Sequence, residues 1–201
     1  MTPNPWMPTW VQVSWIAIYV LVVLVHVHHA WSLTGLSRVW HLSHILMALG
    51  MIDMFWPTTM PFGQAAGVTA FVVLTTAVVA IGVGAVVSQR GWRAWTFSAI
   101  DLGGMIYMFA MMSYRLAPLT LAYALWSVVE AALWATGLAH RLLRLHGAGT
   151  GTNDQTDAVT SHKRWGLQLS LAAMIIGMAY MFVAMQYGIP TSGMHGMALE
   201  N

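Results

Sequence analysis

A chain of 201 residues that is 58% hydrophobic and 7% charged lies far below the roughly 25% charged residues of ordinary soluble domains, which excludes a water-soluble globule. Its formal net charge of +2 and pI near 9.2 come from basic residues gathered in loops, and give no ground for nucleic acid as a partner. The chain has no cysteine, so disulfides and thiolate metal sites are excluded and any soft-metal chemistry has to use Met and His.

Six apolar segments, 10–29, 40–56, 65–87, 94–113, 118–140 and 165–187, come near the ~20 residues that cross a bilayer as a helix. They predict an all-α membrane protein with six transmembrane helices in a single integral domain, 1–201. The first segment ends in His26-Val27-His28-His29, and a short turn through Gly35 and Arg38 leads to His41-Leu42-Ser43-His44. Five histidines therefore meet at one end of neighbouring segments. His26 and His29 share a helix face at i, i+3, as do His41 and His44. The second segment, the shortest, carries His44, Met47, Met51 and Met54 as one stripe, and Pro57 and Pro61 break the helix after it.

The third segment holds Val, Ala, Thr and Gly without a charge or a methionine, and Gly82 and Gly84 permit close packing. The fourth aligns Asp101, Met105, Met108 and Met112 on one face. The fifth carries Glu130 near its middle and closes with His140 and Arg141. A polar stretch, about 147–161, reads as a mobile cytoplasmic loop. The sixth repeats the stripe with Met174, Met178, Met181 and Met185, and the tail beyond adds Met194, His195 and Met197.

Orientation follows from charge. Seven of the eight basic residues, Arg38, Arg90, Arg93, Arg141, Arg144, Lys163 and Arg164, fall on one side, and Arg115 alone falls on the other. The positive-inside rule then puts both termini outside a plasma (inner) membrane. The first ten residues lack the basic region of a signal peptide and read as a short outer tail.

One pattern recurs three times: Gly50-Met51-Ile52-Asp53-Met54-Phe55, Gly104-Met105-Ile106-Tyr107-Met108-Phe109 and Gly177-Met178-Ala179-Tyr180-Met181-Phe182. The motif glycines are spaced 54 and 73 residues apart, and the excess of 19 matches the polar stretch 145–163. The chain thus reads as three helical hairpins with a pseudo-threefold Gly-Met-x-x-Met-Phe repeat on helices 2, 4 and 6, a kind of internal repeat known in transporters. The odd helices carry no matching motif. Of 16 methionines, eleven lie in the even helices, five in the outer tails and loop, and none in the odd helices.

Paired thioethers on three helices form two layers of soft donors, Met51/Met105/Met178 and Met54/Met108/Met181, of the kind that selects Cu(I). A methionine stripe is also ordinary adaptable packing. Imidazoles at His26, His29, His41 and His44 suit copper, another metal or haem. Asp53, Asp101 and Glu130 cost about 2.5–3.5 kcal/mol each on insertion scales, which makes them candidate hard ligands or proton carriers. The bland alternative for each is a buried bond to a Tyr, Ser or Thr hydroxyl.

The run His41-x-x-His44-x-x-Met47 followed by Gly50-Met51-x-x-Met54 resembles a multi-pass actinobacterial membrane family of unknown function, a likeness that implies lineage without an activity. By architecture alone the chain is similar to the eukaryotic high-affinity copper transporters, whose trimers stack methionine layers, although those use Met-x-x-x-Met where this chain has Met-x-x-Met. Together these features predict an intramembrane copper-binding protein for transport or delivery to a membrane-bound copper enzyme, with the histidines at the inner end. The alternatives are a haem- or metal-binding redox protein built on the histidines, and a structural accessory subunit of a membrane complex. No nucleophile–base pair, phosphate loop or paired-carboxylate site is visible, which argues against a hydrolase.

Overall fold

The computed structural model describes residues 5–57, 61–87, 92–111, 113–139 and 157–188, with the side chains of 92–94 and 157–164 outside that description. Among the described residues the protein is all-helical. Its helices are α1 (Thr9–Ser32), α2 (Gly35–Phe55), α3 (Gln64–Val87), α4 (Trp92–Ala110), α5 (Ala117–Ala135) and α6 (Asp157–Tyr187). Met112, His140, the stretch 147–156 and the tail 189–201 lie outside the described residues, and positions 157–161 of the expected loop are the start of α6.

Two boundaries differ from expectation for a backbone reason. Helix α2 begins at Gly35 rather than 40, because Gly35 takes φ +64° directly after the extended Leu33 and Thr34. A residue without Cβ tolerates that conformation, so the chain reverses in two residues and helical bonding restarts at once. Helix α5 stops at Ala135 rather than 140, where Gly137 at φ +71° follows the cap at Thr136 and its amide reaches the Trp134 carbonyl.

Four helices are long and apolar enough to cross a membrane: α1, α3, α5 and the 165–187 part of α6. Helices α2 and α4, at 21 and 19 residues, have adequate length. Their polar residues lower the hydropathy and are turned inward: His41, Ser43, His44 and Asp53 on α2, and Ser98 and Asp101 on α4, are all buried. The outer surface is apolar, with Leu21, Leu24, Val73, Val83, Leu125 and Val128 exposed on α1, α3 and α5. Such a surface is solvated by lipid rather than water. Threonine hydroxyls of α3 bond back to their own helix, as Thr69 to the Ala65 carbonyl and Thr75 to that of Phe71, which satisfies those donors without water.

Packing follows chain order. Helix α1 lies along α2, α3 along α4 and α5 along α6, while α1 also packs on α6 and α2 on α4. The methionines of α2, α4 and α6 make up much of the interior.

Candidate functional site

The motif methionines share one core. Met51, Met54, Met105, Met108, Met178 and Met181 are all buried, Met54 the least at 9% exposed, and all belong to a single cluster. The three even helices touch one another through this core. Met105 of α4 closes on Gly50 of α2, where a Cβ would lie 2.9 Å from its methyl carbon. Met178 of α6 closes on Gly104 of α4 at 3.5 Å by the same measure. Helices α2 and α6 meet through Phe55 and Tyr180, whose rings stack at 6.5 Å. One neighbouring thioether is turned elsewhere: Thr120 donates to the Met111 sulfur at 4.0 Å.

An aromatic from each odd helix locks this core. Tyr19, Phe71 and Tyr123 pack against the motif phenylalanines Phe55, Phe109 and Phe182, with ring centroids 5.9, 5.6 and 5.5 Å apart. The same three rings cover motif glycines of other helices: Phe71 that of α2 (Gly50), Tyr123 that of α4 (Gly104) and Tyr19 that of α6 (Gly177). Tyr19 also donates to the Met174 carbonyl at 2.9 Å. These aromatics carried no motif in the sequence, yet they lie at a constant spacing of 52 residues. That spacing was the available signal.

At the α1–α2 turn, four of the five histidines converge. His26 is fully buried, His41 and His44 are 4% and 3% exposed, and His29 is half-buried, whereas His28 points outward. The Nδ1 atoms of His26 and His41 are 3.1 Å apart. His26 stacks on His44 with centroids at 5.2 Å and planes within 3°, and His29 stacks on His41 at 5.4 Å. Nδ1 of His44 donates to the Trp40 carbonyl at 2.8 Å and Nδ1 of His29 to that of Val25 at 2.7 Å. With Nδ1 held as the donor, Nε2 of each ring keeps its lone pair, the tautomer a ligand needs.

Two residues of this cluster gave no sequence signal. Trp40 lies against His44 at 4.0 Å, with its buried indole N–H lacking an acceptor among the described residues. Ser170 reaches across from α6 to His26 Nε2 at 3.5 Å.

The carboxylates do not join the histidines. Among the described residues, no three His, Asp or Glu side chains are placed to hold one metal ion. Asp53, at the other end of α2, accepts from the Phe62 amide at 2.9 Å and so fastens the turn into α3, while its Oδ2 has no donor among the described residues. Asp101 and Glu130 are neighbours across α4 and α5: the indole N–H of Trp126, one helical turn before Glu130 on α5, reaches Asp101. Their hydrogen-bond donors are indoles rather than the hydroxyls of the bland alternative: Trp126 for Asp101 and Trp134 for Glu130. A paired carboxyl was not visible in the sequence, because 29 residues and a chain reversal separate the two positions.

Comparison with known proteins supplies lineage. The family described as a domain of unknown function, DUF5134, matches residues 36–185. The chain belongs to the DUF5134 family. No curated protein and no solved structure matches it. The DUF5134 region runs from the start of α2 to the end of the methionine stripe on α6. It therefore holds all three methionine motifs, both α2 histidines and the carboxyl pair. Helix α1, which supplies His26 and His29, precedes it.

Proposed function

We propose that this DUF5134 protein is a six-span membrane protein that binds a soft monovalent cation, Cu(I), between the thioethers of α2, α4 and α6. The observation that carries this is the mutual contact of the three motif helices with all six motif methionines buried in one shared core. Thioether sulfur matches Cu(I) by softness, and the chain has no thiolate to compete. The three-hairpin, pseudo-threefold plan is supported by the repeated triad of motif glycine, motif phenylalanine and odd-helix aromatic. The bias of basic residues supports outer termini in a plasma membrane, with the motifs toward the outer face and the histidines toward the inner one. The cation is then exchanged between the methionine core and the histidines, for transport or for delivery to a membrane-bound copper enzyme.

Leu replaces Met at nearly constant volume, with core swaps usually costing below about 1.5 kcal/mol. Met108→Leu and Met181→Leu are therefore expected to weaken Cu(I) or Ag(I) binding to the purified protein at least tenfold. Met111→Leu, whose sulfur faces Thr120, should change it little. Equal, small effects at all three positions would return the methionines to packing and the protein to an accessory role.

The histidines favour a second reading, a metal- or haem-binding redox protein. The fixed tautomers of His29 and His44 support ligation as such. The rings of His26 and His44, with centroids 5.2 Å apart, are too close together to sit on opposite faces of one porphyrin. A Soret band in protein purified without added metal would decide for haem, and stoichiometric copper for the first reading.

A further inference from the structure

We infer that Asp101 and Glu130 form an exchangeable proton-binding site inside the membrane, formed by the contact of α4 with α5 and separate from the methionine and histidine groups. Both side chains are almost fully buried, at 3% and 2% exposed, and Trp126, which holds Asp101, lies one helical turn from Glu130 on α5, so the two carboxyls are buried side by side. Two ionised carboxylates are acceptors only and cannot bond to each other, whereas a protonated one supplies an O–H donor. Two carboxyls buried side by side without a cationic partner among the described residues therefore call for a proton.

The surrounding donors lead to the same conclusion. Trp126 Nε1 donates to Asp101 Oδ1 at 3.4 Å and Trp134 Nε1 to Glu130 Oε1 at 3.1 Å. That leaves Glu130 Oε2, buried and without a donor among the described residues. A buried polar atom so stranded forfeits its hydrogen bond to water with nothing in return. One proton held between the carboxyls provides the missing hydrogen bond and removes the like-charge repulsion in one step.

A metal ion fits less well. Mg²⁺ takes six oxygen ligands and Ca²⁺ six to eight, while this pair is flanked by indoles, with Phe97 against Trp126 at 5.5 Å. Indole N–H groups point at the carboxyl oxygens and would repel a second cation. No third acidic or imidazole group joins the pair among the described residues.

Among the described residues, few other titratable groups face the site. Tyr123 of α5 interacts with Asp101, and its ring stacks on Tyr107 of α4 at 5.8 Å. Helix α3, which packs on α4, has no titratable residue. From α2, which also packs on α4, His41 and His44 are engaged with α1 and Trp40, and Asp53 with Phe62. On α6, which packs on α5, Tyr180 is bonded to the Trp6 carbonyl and stacks on Trp15. Tyr187, at the end of α6, is exposed.

The test is infrared spectroscopy of the full chain in lipid at neutral pH. A carbonyl band of a protonated carboxyl is expected. It should shift when the film is moved into D2O, vanish in the D101N/E130Q double variant, and persist in D53N. Asn and Gln keep the shape and the acceptor for each indole, and thermal unfolding checks that the variant folds. Should the double variant fail to fold, the single variants D101N and E130Q serve, each expected to shift or remove the band. The inference is overturned if the wild-type band is absent, is unmoved by D2O, disappears in D53N, or survives these substitutions unchanged.

Discussion

His26 is where three helices meet through side chains: its own α1, α2 through His41 and His44, and α6 through Ser170. Removing the ring strands a buried nitrogen of His41 and opens space beside His44. His26→Ala is therefore expected to cost about 1–3 kcal/mol, read as a lower midpoint of thermal unfolding. His28→Ala, on the exposed side of the same turn, should change stability by less than about 0.5 kcal/mol. Equal midpoints would remove His26 from the centre of the cluster. The site was partly legible here. Five histidines across one turn announced a cluster, and helical periodicity paired His26 with His29 and His41 with His44. It could not tell that His28 faces out, nor that Trp40 and Ser170 complete the group. A tryptophan near a membrane boundary and a serine in a helix are too ordinary to stand out.

At the scale of the element, the motif glycines differ in what they permit. A Cβ on Gly50 would lie 2.6 Å from the Phe71 ring and 2.9 Å from the Met105 methyl, and one on Gly177 would collide with the Tyr19 hydroxyl. Overpacking of that kind costs about 1–3 kcal/mol, more than the roughly 1 kcal/mol that Ala gains over Gly in a helix. At Gly104 the nearest atoms stand at 3.4 and 3.5 Å, ordinary contact, so the helical gain survives. Gly50→Ala and Gly177→Ala should thus lower the unfolding midpoint, while Gly104→Ala leaves it unchanged or raises it. A fall of the same size at Gly104 would show that these contacts do not set the packing. The even helices were legible because their motif is kept letter for letter. Their aromatic partners were not, because Tyr19, Phe71 and Tyr123 differ in identity and sit among lipid-facing residues free to vary. The early start of α2 was hidden as well, since nothing in the sequence states that Gly35 takes a positive φ.

At the scale of the whole molecule, hydropathy recognises helices by composition, and buried polar residues hide two of them. Helices α1, α3 and α5 and the 165–187 part of α6 pass on composition, whereas α2 and α4 direct His41, His44, Asp53 and Asp101 into the interior. If all six cross, the two ends of α2 must be on opposite sides, and the ends of α2 and α4 that follow the motifs on the same side. The chain lacks cysteine, so single introduced thiols report side without background. Ser37 lies in the first turn of α2 beside Arg38, Phe62 just beyond its other end, and Ser113 just beyond α4, and all three are exposed. An impermeant maleimide applied to intact cells should label Phe62→Cys and Ser113→Cys, and reach Ser37→Cys only after permeabilisation. Labelling of Ser37→Cys together with Phe62→Cys from outside would mean that α2 does not cross. Labelling of Ser37→Cys alone would turn the molecule over, with the methionine core toward the cytoplasm and Arg115 left as the only basic residue on the inner face.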